Sequence, residues 1–265
     1  MTTYAKQLTC ALSAVAITCF AQTDALAKDP NTTYSLGVEG FYDNYKEPDV
    51  TVDSTAYYGS LTGSVSHDWN KFFAALDGRA SYGENDYKSD SGTSSGIPQW
   101  EFEVRPRVGL TFKTGSGAFS PYTGLGMTYF RDDGKGVVTN LNKVGYDRRI
   151  VHIYLPVGFT YAFQTSGGWS IAPNLEYDQL LWGHVSTRLS NVGLPVNIVN
   201  EQTQGWGVRG SLMFGKSVGN WSWQAGPFFR YLDVADSDIT EDGGQFWLEP
   251  HNKRLQAGLQ LRALW

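Results

Sequence analysis

A strict two-residue period in hydropathy constrains this chain more than any other feature, and it is clearest from Trp100 to Phe112. One face of that segment carries Trp100, Phe102, Val104, Pro106, Val108, Leu110 and Phe112. The other carries Glu101, Glu103, Arg105, Arg107, Gly109 and Thr111. Side chains alternate in this way only along an extended strand, and no helical period fits the pattern. The end of the chain repeats it, with Leu255, Ala257, Leu259, Leu261, Ala263 and Trp265 opposite Arg254, Gln256, Gly258, Gln260 and Arg262. Val151 to Phe163 is a third case, and weaker matches run through 34–45, 54–69, 72–87, 119–130, 169–185, 204–214 and 221–232. The prediction is an all-β chain of about ten antiparallel strands. Merging weak segments would give eight, and a strand inside 186–203 or 233–253 would give twelve.

The connections alternate in length. Short ones lie at Asn70-Lys71, 113–118, 164–168 and 215–220, rich in the Gly, Ser and Asn that suit tight hairpins. Long ones are expected at 46–53, 88–99, 131–148, 186–203 and 233–253. Short turns at one end and long loops at the other is the asymmetry of membrane barrels, with the short turns and both termini on the periplasmic side.

The first residues differ from the rest. Lys6 precedes an apolar run from Leu8 to Phe20, and Ala25-Leu26-Ala27 follows with small residues at signal-peptidase spacing. Residues 1–27 therefore read as a signal peptide, with the barrel occupying 28–265. Cys10 and Cys19, the two cysteines of the chain, both lie in the removable part and outside any lipobox-like context. The mature chain then has no thiol for disulfides, thiolate metal sites or nucleophilic catalysis. The net charge of −5, without a long basic run, argues against a nucleic-acid partner.

Alternation alone fits a soluble barrel as well as a membrane one. The aromatic residues separate them. Trp69 with Phe72, Phe112 with Phe119, Phe163 with Trp169, and Phe214 with Trp221 flank the short turns on the apolar face, and Trp265 ends the last strand. A soluble core has no reason to collect its largest rings at strand ends, whereas a bilayer interface does. A looser set, Tyr42, Tyr57, Tyr82, Trp100, Tyr129, Trp206 and Tyr231, falls near the long loops.

An alternating final strand with Leu259, Leu261, Ala263 and Trp265 resembles the ending of bacterial outer-membrane barrel proteins. In size and pattern the chain is similar to ten-stranded opacity-type and adhesin barrels and to outer membrane protein A type domains. The resemblance implies a monomer in the cell outer membrane, surrounded by lipid and lipopolysaccharide. It also implies recognition of the last strand by the barrel assembly machinery, and long loops available to a surface ligand.

Strand parity assigns the lumen face. Glu39, Asp77, Glu101, Glu103, Glu176 and Asp178 fall on the acidic side, and Arg79, Arg105, Arg107, Arg209, Arg230 and Arg262 on the basic side. An excess of one sign would suggest an ion-selective pore. Matched sets in a confined space suggest mutual pairing, because unpaired charge is costly there. The expected role is structural or surface-interacting, with a narrow or gated diffusion pore as the alternative.

Enzymatic chemistry is the third class, and no catalytic residue is assigned. The omptin surface proteases pair two aspartates with an Asp-x-His, which this chain lacks; His67-Asp68 sits beside a short turn. His184-Val185-Ser186 faintly resembles the His-x-Ser of outer-membrane lipid A deacylases, but Thr187 stands where that family has Asn. Parity from Glu176 and Asp178 turns His184 inward, and His152 beside Tyr154 also reads as an interior residue. Asp233, Asp236, Asp238, Glu241 and Asp242 lack calcium-loop order, and Asp132-Asp133-Gly134 reads as a turn. No cofactor or metal is expected.

Overall fold

The computed structural model describes residues 29–242 and 244–265. The expected signal peptide, and Lys28 as its mature start, lie outside the described residues. By contacts the chain divides into two units, Met1–Thr32 and Thr33–Trp265. In the first, the Asp29 carboxylate accepts from the Asn31 N–H at 3.0 Å and the Thr32 hydroxyl at 3.2 Å, forming a small turn.

The second is a barrel. Its strands are β1 (Thr32–Glu47), β2 (Val52–Trp69), β3 (Phe72–Ser89), β4 (Gly92–Leu110), β5 (Gly117–Gly124 continued as Gly126–Asp133), β6 (Asp147–Gln164), β7 (Trp169–Thr187), β8 (Ile198–Gln202 continued as Gly205–Val218), β9 (Trp221–Val234) and β10 (Asn252–Leu264). Neighbours in chain order are hydrogen-bonded, and β10 returns to β1 in register from Ser35↔Leu264 to Lys46↔Lys253. That ladder closes a ring of about ten strands and removes both sheet edges, as a lipid-exposed backbone requires. The interruption in β5 has a local cause. Leu125 donates its N–H to the Pro106 carbonyl at 3.0 Å, and neither Pro106 nor Pro156 can donate in return.

Short turns join β2–β3 at Asn70-Lys71, where Asn70 takes a left-handed φ of 62°, and β6–β7, where Thr165 N–H bonds the Trp169 carbonyl at 2.8 Å. At the other end, three of the expected long loops survive as 134–146, 188–197 and 235–251. Two do not. Residues 88–99 are almost entirely strand, turning at Asp90-Ser91, and the 46–53 loop shrinks to 48–51. Ser94, Ser95, Gly96 and Pro98 look like a loop in sequence because this stretch stands above the apolar band, where neither strand face needs to be hydrophobic. Asp132 and Asp133, read as part of a turn, likewise belong to β5. Extra strands inside the last two loops do not enlarge the ring. Ile198–Gln202 lengthens β8, and Thr240–Asp242 pairs only with Gln245–Trp247.

The outward face is apolar between two aromatic levels. Phe72 faces Leu110 near the short turns, and Tyr82 faces Trp100 near the loops. Phe102, Val104 and Val108 between them are 40–56% exposed. Ten residues at ~3.4 Å per residue, tilted by ~40°, span roughly 26 Å, close to the ~25 Å apolar band of membrane barrels. Trp69, Phe72, Phe112, Phe119, Trp169, Phe214 and Trp221 are exposed on this face, with Phe163 and Trp265 half-buried. The upper level includes the ring pairs Tyr42–Tyr57, Tyr82–Trp100 and Trp206–Tyr231, at centroid distances of 5.6, 4.5 and 5.5 Å.

Candidate functional site

The inward face is where the charge goes. On β4, Glu101 and Glu103 are buried, while Phe102 between them and Val104 after them face out. Period-two alternation therefore plants two adjacent carboxylates on the inner wall. Glu103 binds Arg209 of β8 at 2.7 Å and Arg79 of β3 at 3.3 Å, and it accepts the Tyr154 hydroxyl of β6 at 2.6 Å. Glu101 pairs with Arg79 and, at 2.7 Å, with Arg254 of β10. Arg209 continues to Asp178 at 2.5 Å and Glu176 at 3.4 Å on β7, and Glu176 also pairs with Arg105. Arg230 of β9 reaches Glu39 of β1 at 2.8 Å.

Glu103–Arg209, Glu101–Arg254 and Arg105–Glu176 join strands that are not neighbours and reach across the lumen, whereas Arg79–Glu103 and Arg209–Glu176 link adjacent strands. Arg209 and Arg230 are direct cross-strand partners, a like-charge pairing that would be unfavourable alone. Separate carboxylates engage each guanidinium, so both are neutralised. Phe41, Ala56, Tyr58 and Phe228 form an apolar cluster beside them, with Phe41 and Tyr58 stacked at 4.9 Å. The Arg230 guanidinium lies over the Phe228 ring at 4.2 Å, a favourable arrangement for a desolvated cation.

Two cavities flank this layer. One of about 120 Å³ lies toward the long loops, lined by residues such as Asn85, Gln99, His152, Leu180 and Arg254. Another of about 240 Å³ lies toward the short turns, lined by Ser64, Asp77, Arg107, Asn174 and Arg262, among others. Arg79, Glu103, Arg209 and Arg230 line both. These shared side chains stand between the two cavities as a septum. A second crossing spans the upper chamber, where Arg148 of β6 meets Glu47 of β1 at 3.5 Å, the Tyr45 hydroxyl at 3.1 Å, and Glu249 of the last long loop. In the lower chamber Arg107 forks onto Asp77 at 2.5 and 2.9 Å, and Arg262 donates to Gln224 at 2.9 and 2.6 Å.

All twelve charged residues singled out by parity thus lie on the inner wall. Eleven of them are ion-paired to one another, and Arg262 is held by an amide. Parity missed Asp43, 2.7 Å from Arg254, and Arg254 itself, although both share a face with residues that were named. The intervening inward Phe41 hides the polar run on β1. The Arg148 crossing was missed too, because 131–148 reads as loop.

The placement of His184 is a correction. Tyr154 of β6 faces Leu180, but Ile153 faces Trp182, so β7 carries one extra residue there. Such a bulge reverses parity above it. Val185, not His184, is fully buried, and His184 shares the outer face with Trp182 at a ring distance of 5.5 Å. His152 stays inward, as expected from its strand. At the foot of the last long loop, Asp233, expected in that loop but at the end of β9, engages His251 at 2.8 Å and Lys253 of β10 at 3.7 Å.

Comparison with known proteins gives the fold a family. The family model described as "Outer membrane protein beta-barrel domain" matches residues 11–197. No curated protein matches the chain significantly. Among solved structures, the outer membrane protease OmpT from Escherichia coli superposes with a TM-score of 0.55 at 8% identity, covering 92% of this chain and 99% of that one. The translocator domain of the autotransporter NalP from Neisseria meningitidis gives a TM-score of 0.45 at 10% identity, covering 96% and 97%. At such identities the likeness to OmpT is one of fold. The closed ring, the outward apolar band and the family match together place this chain in the outer membrane protein beta-barrel domain family, as a protein of the cell outer membrane.

Proposed function

We propose that this barrel is a non-conducting outer-membrane scaffold whose role is structural and surface-interacting. The septum carries the proposal: the four residues shared by both chambers are ion-paired, Glu103 reaching Arg209 across the lumen, so a solute would have to separate buried charge pairs to pass. Removing one partner from such a pair costs about 3–5 kcal/mol, which opposes spontaneous opening. The long-loop end is built for display. Thr139 and Asn140 lash loop 134–146 to the β3–β4 turn at 2.7 and 3.0 Å, and Asn200 holds the last loop through Thr240 and Trp247, both at 3.2 Å. Planar-bilayer conductance of the refolded protein tests the proposal: the expected trace is silent, and steady openings of nanosiemens size would favour a pore instead.

A hydrolytic role has one specific observation in its favour. The β7 bulge puts His184 and Ser186 on the outer face, with Glu201 of β8 directly opposite His184. Ser, His and a carboxylate on one face are the parts of an activated nucleophile, and this face meets lipid. Release of acyl chains from lipid A by the folded protein, lost in His184→Ala, would establish it. Absence of release by the unaltered protein would remove it.

A further inference from the structure

The same outer face carries a second arrangement. At the upper aromatic level one ladder rung runs from Tyr82 through Trp100, Arg131 and Arg149 to Ser186. Where β3 and β4 present aromatic rings, β5 and β6 present guanidinium groups. Both converge on one carboxylate: Arg131 Nε lies 2.9 Å from Asp147 Oδ1, and Arg149 Nη2 lies 2.9 Å from Asp147 Oδ2. Arg188, just past β7, stands 3.7 Å from the same carboxylate. The Asp147 side chain is 4% exposed, whereas those of the three arginines are 31–43% exposed. A buried acid therefore backs three cations that stay partly exposed. The Asp147 N–H bonds the Asn191 side chain at 3.1 Å, and its carbonyl takes the Arg188 N–H at 3.0 Å, which fixes the group from behind.

Asp133 lies 3.1 Å from Arg131, and two further acids on this face flank the cluster, Glu84 bonded to Tyr82 on β3 and Glu201 beside His184 on β8. Within the cluster three guanidiniums stand against Asp133 and the covered Asp147, an excess of one positive charge, with Glu84 and Glu201 two strands away on either side. Arginine binds phosphate through its planar fork, and preorganised arginines lose little freedom on doing so. We propose that Arg131, Arg149 and Arg188 form a docking site for the phosphate groups of an outer-leaflet glycolipid, lipopolysaccharide. The level of the site selects this ligand, since the rung coincides with the aromatic ring at the headgroup boundary of the long-loop end. The proposal does not depend on the septum or on catalysis.

The test uses the full refolded chain in detergent micelles. Binding of lipopolysaccharide, chemically dephosphorylated lipopolysaccharide and phosphatidylglycerol is compared by native mass spectrometry, for the unaltered protein and for Arg149→Gln and Arg188→Gln. Arg188 has the longest contact to Asp147, so R188Q keeps the fold even if R149Q does not. The expected result is retention of the phosphorylated glycolipid over the other two, weakened about tenfold in R188Q, the scale of one charge-assisted hydrogen bond. Equal retention of the dephosphorylated form, equal retention of phosphatidylglycerol, or unchanged binding by folded R188Q would each overturn the proposal. So would displacement of the glycolipid by millimolar inorganic phosphate, which would mark a free-phosphate site.

Discussion

The lumen septum and the outer rim cluster are made of the same parts, arginine and carboxylate, yet they are wired in opposite ways. In the septum each charge is shared. Glu103 holds two arginines, Arg209 holds three carboxylates, and the side chains involved are at most 17% exposed. At the rim three arginines lean on one buried acid, with their own edges left in contact with the surroundings. Water and salt compensate for a lost partner at the rim, but a lost partner in the lumen leaves a desolvated charge behind. The lesson is that a charge network locks when its members are mutually enclosed, and receives a ligand when one side of it stays open.

Substitutions that remove one charge from each region probe this contrast. The largest effect is expected for Glu103→Gln, which keeps the shape and the Tyr154 contact but leaves Arg79 and Arg209 short of a counter-charge. Urea unfolding in micelles should show a loss of about 3–5 kcal/mol. Arg188→Gln should sit at the other extreme, with stability changed by no more than about 1 kcal/mol in the same assay. If the two variants lose equal stability, the enclosed and open networks are energetically alike and the comparison fails. Raising the salt concentration sharpens it, because the difference between R188Q and the unaltered protein should shrink while that for E103Q persists.

How much of this was legible in sequence depends on where parity holds. Along β4 it runs unbroken from Trp100 to Leu110, so Glu101, Glu103, Arg105 and Arg107 could be assigned inward from the residues alone. On β7 the same rule works for Glu176 and Asp178 and then fails for His184, because the extra residue near Leu181 leaves no mark in hydropathy. The rim site depended on that region. Arg131, Arg149 and Arg188 come from segments read wholly or partly as loop, and only the register of β5, β6 and β7 shows that two of them share a rung. Long-loop boundaries were misplaced for a related reason. Strands that rise past the bilayer lose the greasy face by which they are recognised, as in 92–99.

The septum is tested most directly by which side of a membrane reaches each chamber. In the chain expressed without residues 1–27, which hold Cys10 and Cys19, single thiols at Ser54, which lines the upper chamber, and Ser64, which lines the lower, report alone. In planar bilayers holding the oriented protein, a charged, membrane-impermeant thiol reagent is added to one side at a time. Neither Ser54→Cys added to from the short-turn side nor Ser64→Cys added to from the long-loop side should react. Labelling of both positions from both sides would show a continuous water path and contradict the closed lumen.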